Sequence, residues 1–454
     1  MEKYTLEQQR KRIQNINHAE QGNKRYFRRH RIRDYIPGQA TYNLGDYPSP
    51  FTITPTEYDE QMLKNLSENG VGLIQIHEEW NDSIRCMGAD KLSSHDPKGL
   101  QKFVDLCHSF GIRIIPYIST GYFQATDPDF KEIFTRNDLI LNGDYFRYRR
   151  CWAGSPHWRE YLIPRILQLV DQYGFDGIYN DWGYDGVELI QKTLISQGKD
   201  PRKMFCFDMP YDPDLEDLLS ILYSEIKSRR GICKLHADIN NTAPCKDKVY
   251  DYLWIGECVR GDSPLGIGKD YEQYIVPCQH GLYAAEKDPD AYYARVIPFM
   301  QFPLLKTGRP MLAPELGEFT VNTGYTDFKQ KTLIREYMKT HPQGPYVYSL
   351  WSSVPEDVEE YPRWCRYLAL YQPMVEENSL AYIELSECEE ILSPLSNGVV
   401  ASMFVNEETY LVVSNLSEAS YTLMLRDLWK DRETGIVGKS FSVEKGKICF
   451  LIKE

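Results

Sequence analysis

Between roughly residues 38 and 375 the chain repeats one punctuation: a capping residue followed by Pro, a helical run, a Gly, and then a short apolar strand. The pairs Thr54-Pro55, Asp96-Pro97, Ser155-Pro156, Asp212-Pro213 and Asp288-Pro289 predict helix starts. Pro suits the first helical position, where its missing N–H removes nothing. The residue before it accepts an orphan amide, and Thr54 with Glu57 matches a capping box. Gly70, Gly111, Gly174 and Gly231 predict the ends, because glycine tolerates the left-handed turn that closes a helix.

Between these marks the apolar residues recur at helical steps. In GLQKFVDLCHSFG they are Leu100, Phe103, Val104, Cys107 and Phe110. YLIPRILQLVDQYG and LEDLLSILYSEIKSRRG follow the same rule, and Pro164 in the first predicts a kink or the end of a turn. After each Gly comes a short strand: VGLIQI, IRIIPYI, FDGIYND, ICKLHAD. YDYLWIGE and GPYVYSLW add two more, with weaker signals near ATYNLGDY and FPLLKT. Strands alternating with helices pair in parallel. About eight such units predict a closed (β/α)₈ TIM barrel, an α/β fold. An open doubly wound sheet is the alternative; no strand is followed by the glycine-rich phosphate loops that often accompany it.

From about residue 380 the texture changes. GVVASMFV, TYLVVSNLS, YTLMLRD and KICFLIKE are short strands with no helix between them, which predicts a C-terminal antiparallel β-sandwich domain. The expected division is a basic N-terminal extension over 1–37, a catalytic barrel over 38–378 and the β domain over 379–454.

Charge and cysteine usage restrict the partners. A net charge of −13 disfavours nucleic acid and anionic membranes. NKRYFRRHRIR is the local exception. It is read as an arm wrapping the protein's own acidic body or a neighbouring subunit, which leaves homo-oligomerisation open, with a nucleic-acid arm as the lesser alternative. Eleven scattered cysteines without a CxxC motif read as reduced thiols. MEKYTLEQQRKRIQ has no apolar core and no stretch approaches membrane-span length. The expected location is therefore cytoplasmic.

In such a barrel the strand-to-helix loops build the site. The stretch YGFDGIYNDW then sorts its own acids. Asp176 precedes its strand, on the structural face; Asp181 ends it, where chemistry belongs. Alternation puts Phe175, Gly177, Tyr179 and Asp181 on one face. Other strand ends are polar too: His77, Glu78, Glu79 and Trp80 after the second, Tyr117 on the third, His236 and Asp238 on the fifth, Glu257 and Arg260 on the sixth, Trp351 on the eighth. Acids and aromatics around one rim suit a sugar: ring C–H faces stack on Tyr and Trp, and two carboxyls can flank a glycosidic bond. The candidate catalytic pair is Asp181 and Glu257. Glu78, Trp80, Tyr117, Trp182, His236, Asp238, Arg260 and Trp351 are the candidate substrate-binding residues. Trp80, Trp182 and Trp351 serve equally well as packing, and Glu78 and Asp238 as acceptors for sugar hydroxyls. No metal and no cofactor is expected.

Four segments together resemble the α-galactosidase superfamily of retaining glycoside hydrolases and its α-glucosidase-like branch. LCHSFGIRIIPYIS is similar to that family's third-strand segment, and IHEEW stands in place of its acidic pair and Trp after strand two. YGFDGIYNDW resembles the fourth strand that ends in the nucleophile, and LWIGE the sixth-strand W-x-G-D. The resemblance implies that Asp181 is the nucleophile and Glu257 the acid/base, with Glu78 and Trp80 lining the terminal-sugar pocket. Tyr179 departs from the family's Lys two before the nucleophile, and Glu257 from its Asp. The expected activity is a retaining, exo-acting glycoside hydrolase on an α-linked sugar. A non-catalytic sugar-binding barrel and a transglycosidase are the alternatives. A lysine-dependent aldolase using Lys234 ranks below them, because Lys234 reads as structural.

Overall fold

The computed structural model describes residues 4–44, 53–77, 80–81, 92–124, 127–135, 148–181, 195–196, 198, 212–237, 243–255, 274–278, 288–309 and 360–454. The chain divides into two compact units, one formed by Met1–Gly38, Gly256–Leu304 and Tyr361–Glu454, the other by Gln39–Ile255 and Leu305–Glu360. The fold class is the expected one, a (β/α)₈ barrel with a C-terminal antiparallel β-sandwich domain. The parallel sheet has eight strands.

Seven of them lie in the second unit: β2 (Gln39–Asn43), β3 (Leu73–Ile76), β4 (Arg113–Ser119), β7 (Gly177–Asp181), β8 (Ile232–His236), β9 (Tyr252–Ile255) and β11 (Leu305–Gly308). Their order is β11-β2-β3-β4-β7-β8-β9. The eighth is β10 (Tyr274–Pro277), and β5 (Tyr122–Gln124) and β6 (Tyr148–Arg150) form a separate two-stranded ribbon.

The register fixes which residues share a face. Tyr117 lies opposite Tyr179, Tyr179 opposite Lys234, and His236 opposite Trp254. Thr41, Gln75 and Ile115 align in the same way. The other face carries Ile74, Ile76, Ile114, Ile178, Leu235 and Leu253, all buried. That second face meets the helices: the Tyr42 ring lies 5.1 Å from Phe103, which belongs to α3 (Pro97–Ser109). The first face is the barrel interior. His77 after β3 and Trp254 on β9 approach to 6.0 Å there, and Lys234 on β8 donates to the Gln39 side chain on β2 at 3.1 Å. Barrel interiors are usually filled by branched aliphatics; this one is aromatic and polar.

The helix punctuation holds at four of its five starts. Asp96, Ser155, Asp212 and Asp288 each cap a helix with Pro at the first turn: α3, α4 (Pro156–Tyr173), α5 (Pro213–Ser228) and α6 (Pro289–Val296). The fifth differs. α2 spans Glu57–Glu68 and is capped by Thr56 with Asp59, not by Thr54 with Glu57. Asp59 reaches back to the Thr56 amide at 2.8 Å, so the box closes two residues later. α4 runs through Pro164, which sits on its exposed side. At the end of α5 the left-handed residue is Arg230 (φ 60°), not Gly231. Gly231 is needed for space instead: a Cβ there would lie 2.7 Å from the Ile226 side chain.

Two aspartates tie neighbouring strands together at their N-terminal ends. Asp176 accepts the Ile114 amide at 2.8 Å and faces His108 at 2.9 Å. Asp251 accepts the Cys233 amide at 2.9 Å and Lys227 at 3.0 Å. Both ligate the strand just before them in space, so the motif recurs around the barrel floor.

In the first unit, α1 (Leu6–Gly22) leads into β1 (Asn23–Arg31), which becomes the edge of a seven-stranded antiparallel sheet. The remaining strands are β12 (Leu380–Cys388), β13 (Val399–Val405), β14 (Thr409–Asn415), β15 (Tyr421–Asp431), β16 (Val437–Val443) and β17 (Lys447–Lys453). The order is β1-β12-β13-β14-β17-β15-β16, around a core that includes Leu411, Val413, Leu423, Trp429 and Leu451. The basic arm folds back on its own unit. Arg12 pairs with Glu376 and Glu407, each at 3.3 Å, and Lys11 with Glu408 at 2.5 Å. Helix α7 (Glu360–Tyr371) precedes the sheet, and the Trp364 indole donates to the Pro303 carbonyl.

Candidate active site at the ends of the barrel strands

β7 reaches its last residue because its start is built for close approach. Gly177 has φ 143°, and a Cβ there would fall 1.9 Å from the Ile232 carbonyl oxygen. Only glycine lets β7 and β8 pair at that height. Ascending the inner face, Gly177 is followed by Tyr179 and then Asp181. The neighbouring β8 carries Lys234 and then His236, so Asp181 and His236 form the next inner pair.

Their side chains confirm that pairing. His236 Nδ1 stands 3.9 Å from Asp181 Oδ1, and the two side chains are 14% and 13% exposed. They are therefore mostly desolvated yet reachable. Nδ1 also lies 2.5 Å from the Ala237 carbonyl oxygen. A carbonyl only accepts, so Nδ1 carries the proton and gives it to that carbonyl, while the carboxylate stands nearby at 3.9 Å. Nε2 is left as the other functional nitrogen of the ring.

Beneath this pair lies an aromatic floor. Tyr179 stacks on Trp254 with centroids 4.9 Å apart and planes 21° apart. Tyr117 meets Tyr179 edge-on at 5.6 Å, and His236 lies 5.8 Å from Trp254. His77 completes the ring of contacts with Tyr117 at 6.3 Å. The Trp80 indole is wholly buried and donates to the Tyr117 carbonyl at 2.8 Å, which ties it to the backbone of the third strand. Asn180, on the opposite face from Asp181, donates to Thr120 at 3.1 Å, and the Trp158 indole donates to the Thr120 carbonyl. The backbone under Asp181 is thus anchored from the helix side.

Of the sequence candidates, Asp181 and His236 meet at the end of their strands, Tyr117 joins them through the Tyr179 ring, and Trp80 is bound to the Tyr117 carbonyl. Glu78, Trp182, Asp238, Glu257, Arg260 and Trp351 lie outside the described residues. Sequence reasoning passed over Tyr179, Trp254 and Lys234 as parts of the site floor. Strand alternation already put Tyr179 on the face of Asp181; Trp254 and Lys234 needed the register between strands. A carboxylate on a rigid strand end, mostly withdrawn from water and set beside an imidazole, suits nucleophilic or electrostatic work.

No family model matches the sequence, and no curated protein sequence matches it. Solved structures do share the fold. An α-amylase from Lactobacillus plantarum superposes with TM-score 0.56 at 11% identity, covering 92% of this chain and 99% of that one. A noncanonic maltogenic α-amylase from Thermotoga neapolitana gives 0.53 at 12% identity, covering 91% and 95%. An α-glucosyl transfer enzyme gives 0.57 at 12% identity, covering 92% and 99%. At these identities the likeness establishes a common fold over nearly the whole chain.

Proposed function

We propose that this chain is a retaining glycoside hydrolase acting on an α-linked sugar, with Asp181 as its nucleophile. The observation that carries the reading is Asp181 itself, at the end of the fourth barrel strand beside the Nδ1–H of His236 and above the Tyr179–Trp254 stack. The amylase-like fold supports the substrate class, and the resemblance of YGFDGIYNDW to a nucleophile-bearing fourth strand supports the role. In this scheme Asp181 attacks the anomeric carbon as the glycosidic C–O bond breaks. The departing oxygen takes a proton from Glu257. Glu257 then removes a proton from water, which attacks the glycosyl-enzyme and releases the sugar and free Asp181. A retaining pair of carboxyls stands about 5–5.5 Å apart, which is the separation the scheme requires of Asp181 and Glu257. His236, beside the carboxylate, would offer Nε2 to a sugar hydroxyl.

The test is covalent trapping. A 2-deoxy-2-fluoro α-glycosyl fluoride panel should label the wild-type chain, with the added mass on the Asp181 peptide. Asp181→Asn should remove both label and turnover while folding is kept. Undiminished hydrolysis by that variant would falsify the assignment. Interception of the same glycosyl-enzyme by a sugar hydroxyl gives transglycosylation, a reading favoured by the likeness to the α-glucosyl transfer enzyme. Product analysis at high acceptor concentration separates the two outcomes. The exo mode and the galactoside or glucoside preference are read from aryl glycosides against internal linkages of oligosaccharides.

A further inference from the structure

We infer that Lys234 is a positioning residue for this site: its ammonium, sealed in the barrel one layer below the mouth, holds Asp181 ionised and His236 neutral. The inference rests on the reading of Asp181 as nucleophile. Lys234 is the third residue of β8 and only 1% exposed. Its Nζ donates to Gln39 Oε1 at 3.1 Å and lies 5.4 Å over the Trp254 ring and 6.0 Å over that of Tyr179. Those same two rings form the stacked floor under Asp181 and His236. Lys234 pairs in register with Tyr179, so the inner pair immediately above it is Asp181 with His236.

Burying an ammonium is costly unless amide oxygens and ring faces receive it, and here both do. Charges separated by a single side-chain layer inside a protein interact far more strongly than across water. An opposite charge favours a carboxylate, and a like charge disfavours an imidazolium. The titratable groups facing the Lys234 layer are Tyr179 and Asp181 from β7, His236 above it, Tyr252 from β9, Tyr117 from β4 and His77 after β3. Among these described residues Asp181 is the carboxylate and Lys234 the fixed cation. An ionised Asp181 is what attack on an anomeric carbon needs, and a neutral His236 keeps Nε2 as an acceptor.

The test removes the charge and keeps the volume. In Lys234→Met the acid limb of kcat/KM with an aryl α-glycoside should move up by about one pH unit, and Lys234→Arg should bring it back. A purely structural lysine would lower the rate equally at all pH values with the limb unmoved, and that result overturns the proposal. NMR titration of the His236 imidazole, assigned with His236→Asn, reads the same field without turnover: its apparent pKa should rise by about one unit in Lys234→Met. An unchanged His236 titration also overturns it. If the wild type cleaves no glycoside, the nucleophile reading fails while the imidazole titration still decides the role of Lys234. If Lys234→Met does not fold, Gln39→Glu sets a carboxylate against the ammonium. Both titrations should then shift in the same upward direction, and no shift counts against the proposal.

Discussion

The Asp181 carboxylate and the His236 ring face each other at 3.9 Å from the ends of two adjacent parallel strands. Asp181 is the proposed nucleophile, whereas His236 is its neighbour, with Nδ1 turned to the Ala237 carbonyl. Removing the carboxylate and removing the ring should therefore differ in kind. Asp181→Asn should lower kcat by at least about 10³-fold, as loss of a nucleophile does. His236→Ala should cost about 10–100-fold, mostly in kcat. Steady-state kinetics with an aryl α-glycoside, alongside circular dichroism for folding, checks both. Equal losses would deny the division of roles.

Asp176 lies only five residues before Asp181 and is expected to behave oppositely. Its carboxylate closes the Ile114 amide and the His108 ring at the far end of the barrel. Asp176→Ala leaves that amide without its acceptor, at a cost of about 1–3 kcal/mol. Urea unfolding should report that loss, while kcat of the folded fraction stays within about twofold.

How far the sequence carried the fold is clear at these two acids. Strand alternation and Gly-terminated helices were enough to set Asp176 at one end and Asp181 at the other. The same local rules erred where a competing group lay nearby. Asp59 outbid Glu57 for the capping box because it also serves Arg309 and Tyr42. The barrel filling was not legible. Which residues meet across a closed sheet depends on register between strands, and no local pattern encodes the approach of Lys234 to Gln39 or of His77 to Trp254. The basic arm was legible in charge but not in form; its strand exists because β12 offers it a partner.

Arg309 and Asp59 form the most deeply buried ion pair among the described residues, at 1% and 0% exposure. The guanidinium grips both carboxylate oxygens, at 3.0 and 2.8 Å, and also reaches the Leu44 and Thr54 carbonyls. The Tyr42 hydroxyl donates to the same carboxylate at 2.7 Å. Arg309→Met strands a buried charge and should cost about 3–5 kcal/mol. The double variant Arg309→Met/Asp59→Leu should recover much of that loss in thermal denaturation, because no unpaired charge remains.

Lys447 joins β17 to the start of α6 through Asp290 at 2.8 Å and Asp288 at 2.9 Å. Burial alone would raise the Asp290 carboxyl, but hydrogen bonds from Lys447 and Tyr367 and the nearby cations hold it below its ordinary value of 3.8. Burial pulls Lys447 down, yet the two carboxylates raise it above 10.5. A carboxylate lowered on folding stabilises above its unfolded pKa and loses that as pH falls through the folded one. An ammonium raised on folding stabilises below its unfolded pKa and loses that as pH rises through the folded one. Lys447→Met should therefore lower stability at pH 7 by about 0.5–1 kcal/mol, since the pair is partly screened. The difference from wild type should close as pH drops below 3.8. A gap that persists in acid would assign the loss to packing.

Strand β1 pairs with β12 along its whole length, from Asn23 opposite Cys388 to Arg31 opposite Leu380. The edge strand of this sheet thus depends on a neighbour that lies about 350 residues further along the chain. Until the two meet, the five cations of β1 have no sheet to lie on, and β12 has a bare nine-residue edge. The sheet is whole only once these two distant segments have met, which makes its closure a non-local and therefore slow step of folding.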